Sequence, residues 1–284
     1  MSSLSILVTG ASGAIGSALV PALLARNATV TTMSRNPDWS LSGARQVIAD
    51  LGDETSLIAA LEGIDVAFLN SPSAEDAATL QIRFANIARQ AGVTKLVLLS
   101  QYGARPDSPV RFLRWHAQVE DEVERLGFDL TILRPNLFMQ SLLAFAPTIA
   151  NGVLAAPIGS AAVSAIDVRD IAASAATVLT GTGHEGRTYT LTGPRAVTHA
   201  EIALALAEAT GRNIAFHEIT SDQFAGALHG YVPAWQLEGL IEDYAHYERG
   251  EASDVHTSVT DLTGHAPRDI ADFARDHAAA FGRA

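Results

Sequence analysis

The chain has 284 residues, of which 48% are hydrophobic, with a formal net charge of −12 and no cysteine. That length suits one large α/β domain, or a domain with a smaller appended lobe. The acidic balance argues against nucleic acid and anionic membrane as partners, and the missing cysteines exclude disulfides, thiolate catalysis and cysteine-ligated metal. No run reaches the roughly 18 apolar residues that a bilayer span needs, and a strand beginning by Ile6 leaves no room for a signal peptide, so the expected compartment is the cytoplasm. From Glu201 onward 14 acidic side chains stand against 5 basic ones, which reads as a solvated face that aids solubility. Arginine supplies 18 of the 19 basic residues, so any mechanism that needs a lysine has only Lys95.

The apolar run Ile6-Leu7-Val8 opens into Thr9-Gly10-Ala11-Ser12-Gly13-Ala14-Ile15-Gly16, followed by a helix predicted over 17–25. A buried strand that turns through glycines into a helix aims free backbone N–H groups and the positive end of the helix dipole at one point, which suits a pyrophosphate. Gly10 permits the tight turn, Gly13 lets a pyrophosphate approach, and Gly16 lets the helix lie against the sheet. The expected seat is therefore Gly10, Ser12, Gly13, Ala14, Ile15 and Gly16. Pro21 falls inside the helix and should bend it; Asn27 after it tolerates the left-handed conformation. Strand two, 29–34, ends at Ser34-Arg35, where an NAD site would place an acidic residue for the ribose hydroxyl. Arg35 instead suits a 2′-phosphate, with Ser34 adding a hydroxyl, so NADPH is expected over NADH; the alternative is a solvated loop arginine.

Strand three, 46–49, runs into Asp50-Leu51. Asp50 can accept from the adenine amine while Leu51 covers the ring, although Asp in this position is equally a turn former. A helix over 54–62, strand four over 65–70, a helix over 75–91, strand five over 95–100, a helix over 112–126 and strand six over 130–135 follow. Alternation of short strands with helices of this length is the pattern of βαβ units and a parallel sheet, a Rossmann-type doubly wound fold. The carboxyl edge of such a sheet is where its ligands sit. Asn70, Ser71 and Ser100 at that edge are placed beside the nicotinamide and its ribose, and Tyr102 is a candidate hydrogen donor. His116 and Glu120, four apart on one helix, share a face.

Residues 1–135 thus form the expected dinucleotide-binding core, and 136–284 mainly a C-terminal α+β substrate lobe, with later strands and helices returning to the core. Leu137-Phe138-Met139 and 142–145 are apolar without strand alternation; Phe138 and Met139 suit a pocket wall, with ordinary core packing as the alternative. A loop over 152–160, a strand over 163–166, a helix ending near Thr180 and a strand over 188–192 come next. Thr198-x-x-Glu201 is a capping box opening a helix to Thr210. A strand over 214–219, helices over 222–228 and 234–249, and a last helix after Pro267 complete the chain.

The chain resembles the NmrA-like branch of the atypical short-chain dehydrogenase/reductases, most closely its bacterial NAD(P)H:quinone oxidoreductase-like members. The likeness rests on the glycine turn, Arg35, Asp50-Leu51, 100–104, His116-x-x-x-Glu120, Leu133-Arg134-Pro135-Asn136, 166–172 and 189–194. It implies NADPH in the 10–16 turn, Asn136 among the residues beside it, and a small lobe that closes a cleft over a small-molecule substrate. Most of the superfamily uses a Tyr-x-x-x-Lys pair, in which the lysine lowers the tyrosine's pKa. Lys95 has Ala91 four residues before it and lies at the wrong end of strand five, so tyrosine-driven alcohol oxidation is disfavoured.

Hydride delivery to a quinone or similar conjugated acceptor asks less of an acid, because proximity to the dihydronicotinamide supplies most of the acceleration. His116 is the expected proton or hydrogen-bond donor, with Glu120 orienting its ring; the alternative is a structural His–Glu pair. The scattered histidines offer no metal site. A second functional reading is a dinucleotide sensor that binds NADP(H) without turnover and signals through its acidic C-terminal third. An assembly of identical subunits is left open.

Overall fold

The computed structural model describes residues 4–282. β1 (Ser5–Val8) leads into α1 (Ala14–Leu24), then β2 (Thr29–Ser34), β3 (Arg45–Ile48), α2 (Glu54–Leu61), β4 (Val66–Leu69) and α3 (Ala77–Gln90). β5 (Lys95–Leu99), α4 (Arg111–Arg125) and β6 (Asp129–Pro135) follow; a 3-10 helix over Met139–Phe145 and α5 (Ala146–Ala150) then lead to β7 (Val153–Ala156) and β8 (Ala162–Val163). The remainder comprises α6 (Val168–Thr180), β9 (Arg187–Leu191), β10 (Val197–Thr198), α7 (His199–Thr210), β11 (Ala215–Glu218), α8 (Ser221–Leu228), α9 (Ala234–Glu248), α10 (Ser258–Thr263), α11 (Ile270–Asp276) and α12 (Ala278–Phe281).

Seven strands form one sheet in the order β3-β2-β1-β4-β5-β6-β9, every pairing parallel. Helices cover both faces, which is why the central strands, past their first residues, are apolar in succession rather than at alternate positions. Ile6 and Val8 of β1, Val66 and Phe68 of β4, and Val97 and Leu99 of β5 pack with α1 and α6 on one face. Their sequence neighbours Leu7, Ala67, Leu69, Leu96 and Leu98 pack with the helices of the other face. The order of connection reverses between β1 and β4, so the crevice at their carboxyl ends is the natural ligand site of a doubly wound sheet. This is the Rossmann-type architecture expected from the strand and helix alternation.

The chain after β6 does two jobs. α6 packs beside α1 and β9 extends the sheet, while α7, α11 and α12 gather around a separate apolar core with Met139, Leu142 and Ile149. The stretch expected as a loop over 152–160 instead contributes β7, which pairs in parallel with β11; its alternation is too short to separate from loop by pattern alone. The strand expected over 163–166 is only two residues long, pairing antiparallel with β10, and Ile166 makes an isolated bridge to Phe138. α1 starts three residues earlier than expected because Gly13 already serves as its N-cap. Asn27 takes φ +59°, the one non-glycine positive φ among the described residues, and the capping box of Thr198 and Glu201 is formed in both directions.

Lys95 has a structural post. Its side chain is buried, and Nζ donates to the carbonyls of Val178 at 2.6 Å and Gly181 at 2.8 Å, at the carboxyl end of α6. A cation there answers the helix dipole and satisfies carbonyls that have no intrahelical partner. Burial lowers its pKa, while Glu185 and Asp129 act in the opposite sense. Lys95→Met should therefore lower unfolding free energy by roughly 1–3 kcal/mol in urea denaturation; an unchanged midpoint would remove this cap from the account.

Candidate active site

The glycine turn leaves room for a bound group next to the chain. Gly10 has φ +59°, and a Cβ on it would come 2.8 Å from the Asn70 carbonyl oxygen. A Cβ on Gly16 would run into the Gly10 carbonyl and Ala11. The turn is therefore closed to side chains where α1 meets β1 and β4. Ser12, Gly13 and Ala14 are exposed, and no side chain caps α1, so the first N–H groups of the helix remain available to an anion. Ile15 enters through its backbone alone, because its side chain is buried in the core. These features fit a dinucleotide pyrophosphate.

At the tip of β2 the Ser34 hydroxyl accepts from the Asn36 N–H at 3.1 Å, so it is engaged in a local turn. Arg35 extends into solvent and lies 3.8 Å from an Asp50 carboxylate oxygen. Asp50 also accepts from the Gly52 N–H at 2.7 Å. Asp50 thus forms the turn that was the alternative to an adenine contact, and its second carboxylate oxygen faces Arg35. Leu51 is mostly buried in the sheet core, which leaves only its edge for a purine ring.

From here a cavity of about 320 Å³ runs along the carboxyl ends of β4, β5 and β6 and under α9. Asn70 and Ser71 follow β4 on one wall; Ser100 and Gln101 follow β5; Pro135 ends β6. The Thr9 hydroxyl donates to the Asn70 carbonyl at 2.7 Å, tying the β4 exit to the glycine turn. Gln81 of α3 donates to the Ser71 hydroxyl at 2.9 Å, while its buried Oε1 has no partner among the described residues. That oxygen is an acceptor in waiting for a donor from a bound molecule.

α4 and α9 close the cavity. Arg111 at the start of α4 reaches Glu242 at 2.8 Å and Glu238 at 3.0 Å, and Gly239 permits α9 to lie against the Phe112 ring, where a Cβ would collide. Phe112, Trp115 and Trp235 form an aromatic cluster with centroids 5.5 to 6.2 Å apart. Flat apolar walls of this kind suit a conjugated ring.

Four of the expected site residues have positions or side-chain partners that the sequence did not show. Glu120 does not serve His116: Ser100 Oγ and the Arg134 guanidinium occupy its carboxylate, the Arg134 Nε contact being 2.9 Å. Position i+4 places Glu120 on the helix face below His116, and Arg134 of β6 reaches it from the sheet. Tyr102 lies outside the cavity, edge-on to His256, with burial first and then Asp254 pushing its pKa up. Asn136 lies at the cavity, but its amide donates to Ser164 at 2.8 Å and to the Ala252 carbonyl at 2.9 Å, and its oxygen accepts from the Leu137 N–H, so its side chain ties the end of β6 to Ser164 and Ala252. Met139 is buried in the C-terminal core, whereas Phe138 does line the cavity.

His116 lines the cavity too. Burial pulls its pKa down to about 4, outweighing Glu120 and helped by the Arg134 cation, so at neutral pH it is an uncharged imidazole. Such a ring donates a hydrogen bond without being an effective acid. Phe112, Trp115, Trp235 and Asp243 are among the cavity residues that were not foreseen. All lie on helices whose extent was legible, but which helix face meets the cavity is set by the docking of α9 on α4.

A parallel seven-stranded sheet, a glycine turn at its switch point and a cavity without a Tyr-x-x-x-Lys pair define an atypical dinucleotide-binding protein of the short-chain reductase type. The NmrA-like family model matches residues 2–273, and the chain belongs to that family. It is 37% identical over 285 residues to an NAD(P)H azoreductase of Xenophilus azovorans, covering 98% of this chain and all of that one. It is 36% identical to a (4-alkanoyl-5-oxo-2,5-dihydrofuran-3-yl)methyl phosphate reductase of Streptomyces griseus, over 97% of this chain and 99% of the relative. Among solved structures, an Escherichia coli NADPH-dependent quinone oxidoreductase complexed with NADPH superposes with a TM-score of 0.87 at 27% identity, over 95% of this chain and 99% of that one.

If Arg35 holds a 2′-phosphate, Arg35→Ala should reduce NADPH affinity about 10- to 100-fold and leave NADH affinity almost unchanged, as read by cofactor fluorescence titration. Equal affinities for the two cofactors in the parent protein would overturn the assignment.

Proposed function

We propose that this protein, an NAD(P)H-dependent oxidoreductase, reduces a quinone or a similar conjugated small molecule with NADPH. One observation carries the choice of acceptor: the cavity has flat aromatic walls and a neutral hydrogen-bond donor, but neither Tyr102 nor Lys95 reaches it. Carbonyl reduction by the usual phenol and lysine pair has no residues here, while an electron-poor conjugated acceptor needs less acid assistance. The relatives agree in kind, since their names describe reduction of an azo compound, an unsaturated lactone and a quinone.

Bound in the glycine turn, NADPH supplies a hydride from its dihydronicotinamide. The chain's own residues do the rest. Gly10, Gly13, Gly16 and the N-terminus of α1 hold the pyrophosphate, Arg35 the 2′-phosphate, and Asn70, Ser71, Gln81 and Ser100 line the nicotinamide end. Phe112, Trp115, Trp235 and Phe138 exclude water and align a flat acceptor, which converts the encounter into a positioned reaction. His116 donates a hydrogen bond to the acceptor's oxygen or nitrogen.

NADPH oxidation should be acceptor-dependent across a panel of quinones, enones and azo compounds, and His116→Ala should lower kcat about tenfold with NADPH binding intact. No turnover with any acceptor would overturn the reductase reading; an unchanged rate in the variant would remove His116 from it.

A further inference from the structure

Asp243, on the α9 wall of the cavity, is 7% exposed and has no salt-bridge partner among the described residues. Its one side-chain hydrogen bond there is accepted from the Gln101 amide at 3.4 Å. Gln101 directly follows Ser100 at the exit of β5, so this contact joins the far wall of the cavity to the sheet edge. The neighbouring cation is already spent: Arg111 is held by Glu242 and Glu238. Burying a carboxyl group without a counter-charge is costly, and such groups persist where they have chemistry to do.

We propose that the Asp243 carboxyl group is the proton donor that completes reduction of the acceptor, oriented by the Gln101 amide. The proposal rests on the reductase reading. Reduction places two electrons and one hydrogen from NADPH on the acceptor's electron-poor atom and leaves NADP+. Negative charge then gathers on the acceptor's oxygen or nitrogen. The Asp243 O–H bond breaks, its proton bonds to that atom, and the carboxylate regains a proton from solvent.

The surroundings support the assignment. From α4, His116 and the engaged Arg111 face this region; from β5 comes Gln101; on α9 itself stand Glu242, Tyr244, His246 and Tyr247. Burial first, and then Glu242, push the Asp243 pKa up to about 7 against the lowering effect of Gln101. Burial first, and then Asp243, raise Tyr244 to about 12 and hold Tyr247 well above the ordinary phenol range, and His246 is paired with Glu251 at 2.6 Å. With His116 neutral, Asp243 is the group in this cavity that carries a transferable proton near neutrality.

The test uses the intact protein. At saturating NADPH and a quinone, wild-type kcat should fall as pH rises through about 7, because the donor is lost on ionisation. Asp243→Asn, which keeps the shape, should lower kcat roughly 100-fold and abolish that limb while NADPH affinity is retained. Without any turnover, difference infrared spectra should show a protonated-carboxyl band that titrates near pH 7 in the wild type and is missing from the variant. Gln101→Leu, a second variant, should move the limb to higher pH. Wild-type turnover with a flat profile, or an Asp243→Asn enzyme with unaltered kcat and limb, overturns the donor assignment alone. A wild-type protein that turns over no acceptor overturns the reductase reading and this proposal with it.

Discussion

The ion pair between Arg134 of β6 and Glu120 of α4, completed by the Ser100 hydroxyl at the exit of β5, is the joint on which the site depends. It locks three elements together where the sheet ends, and Glu120 is almost wholly buried. A buried pair of this kind contributes little net stability compared with apolar packing, yet breaking it strands a charge at a cost of about 3–5 kcal/mol. Its value here is positional. With Glu120 held to the sheet, α4 presents His116, Phe112 and Trp115 to the cavity one turn or two earlier, and the same α4 then receives α9 through Arg111 and Phe112. Removing the joint would loosen both cavity walls at once.

A division of labour follows from these contacts. On the proposed reading the sheet edge and glycine turn make the cofactor end, where backbone groups and small side chains predominate. On the same proposed reading the helical wall makes the acceptor end, where aromatic rings set shape and Asp243 and His116 supply polar contacts of different kinds. His116 is uncharged near neutrality and Asp243 is near its midpoint. Two ionisable groups in one cavity whose environments push them to different protonation behaviour can share donor roles without interfering. The sole lysine sits at the far end of β5, where it caps the carboxyl end of α6, away from the cavity.

Much of this was legible in the amino-acid order. The run from Ile6 to Gly16 has a physical reading at every glycine, and within that run the closest approaches are at Gly10 and Gly16. Apolar strands without alternation implied a sheet covered on both faces. Asn27, Thr198 and Glu201 announced their turns because those side chains act locally. What could not be read depends on partners far away in sequence. Glu120 and His116 share a helix face, but Arg134, fourteen positions on and on a strand, decides which of them is engaged. Tyr102 and Asn136 sit at the right edge of the sheet, yet their side chains are engaged by Ala252, Asp254 and His256 of the segment after α9. Asp243 belongs to a helix whose buried face exists only once α9 has docked on α4.

Direct transfer of hydrogen from cofactor to acceptor is the central claim, and isotopic labelling reads it without ambiguity. With NADPH carrying deuterium at one C4 position and an activated alkene as acceptor, mass spectrometry of the reduced product should find one deuterium on carbon from one C4 epimer and none from the other. Equal labelling from both epimers, or product without deuterium from either, would contradict a cavity that holds the acceptor against one face of the nicotinamide.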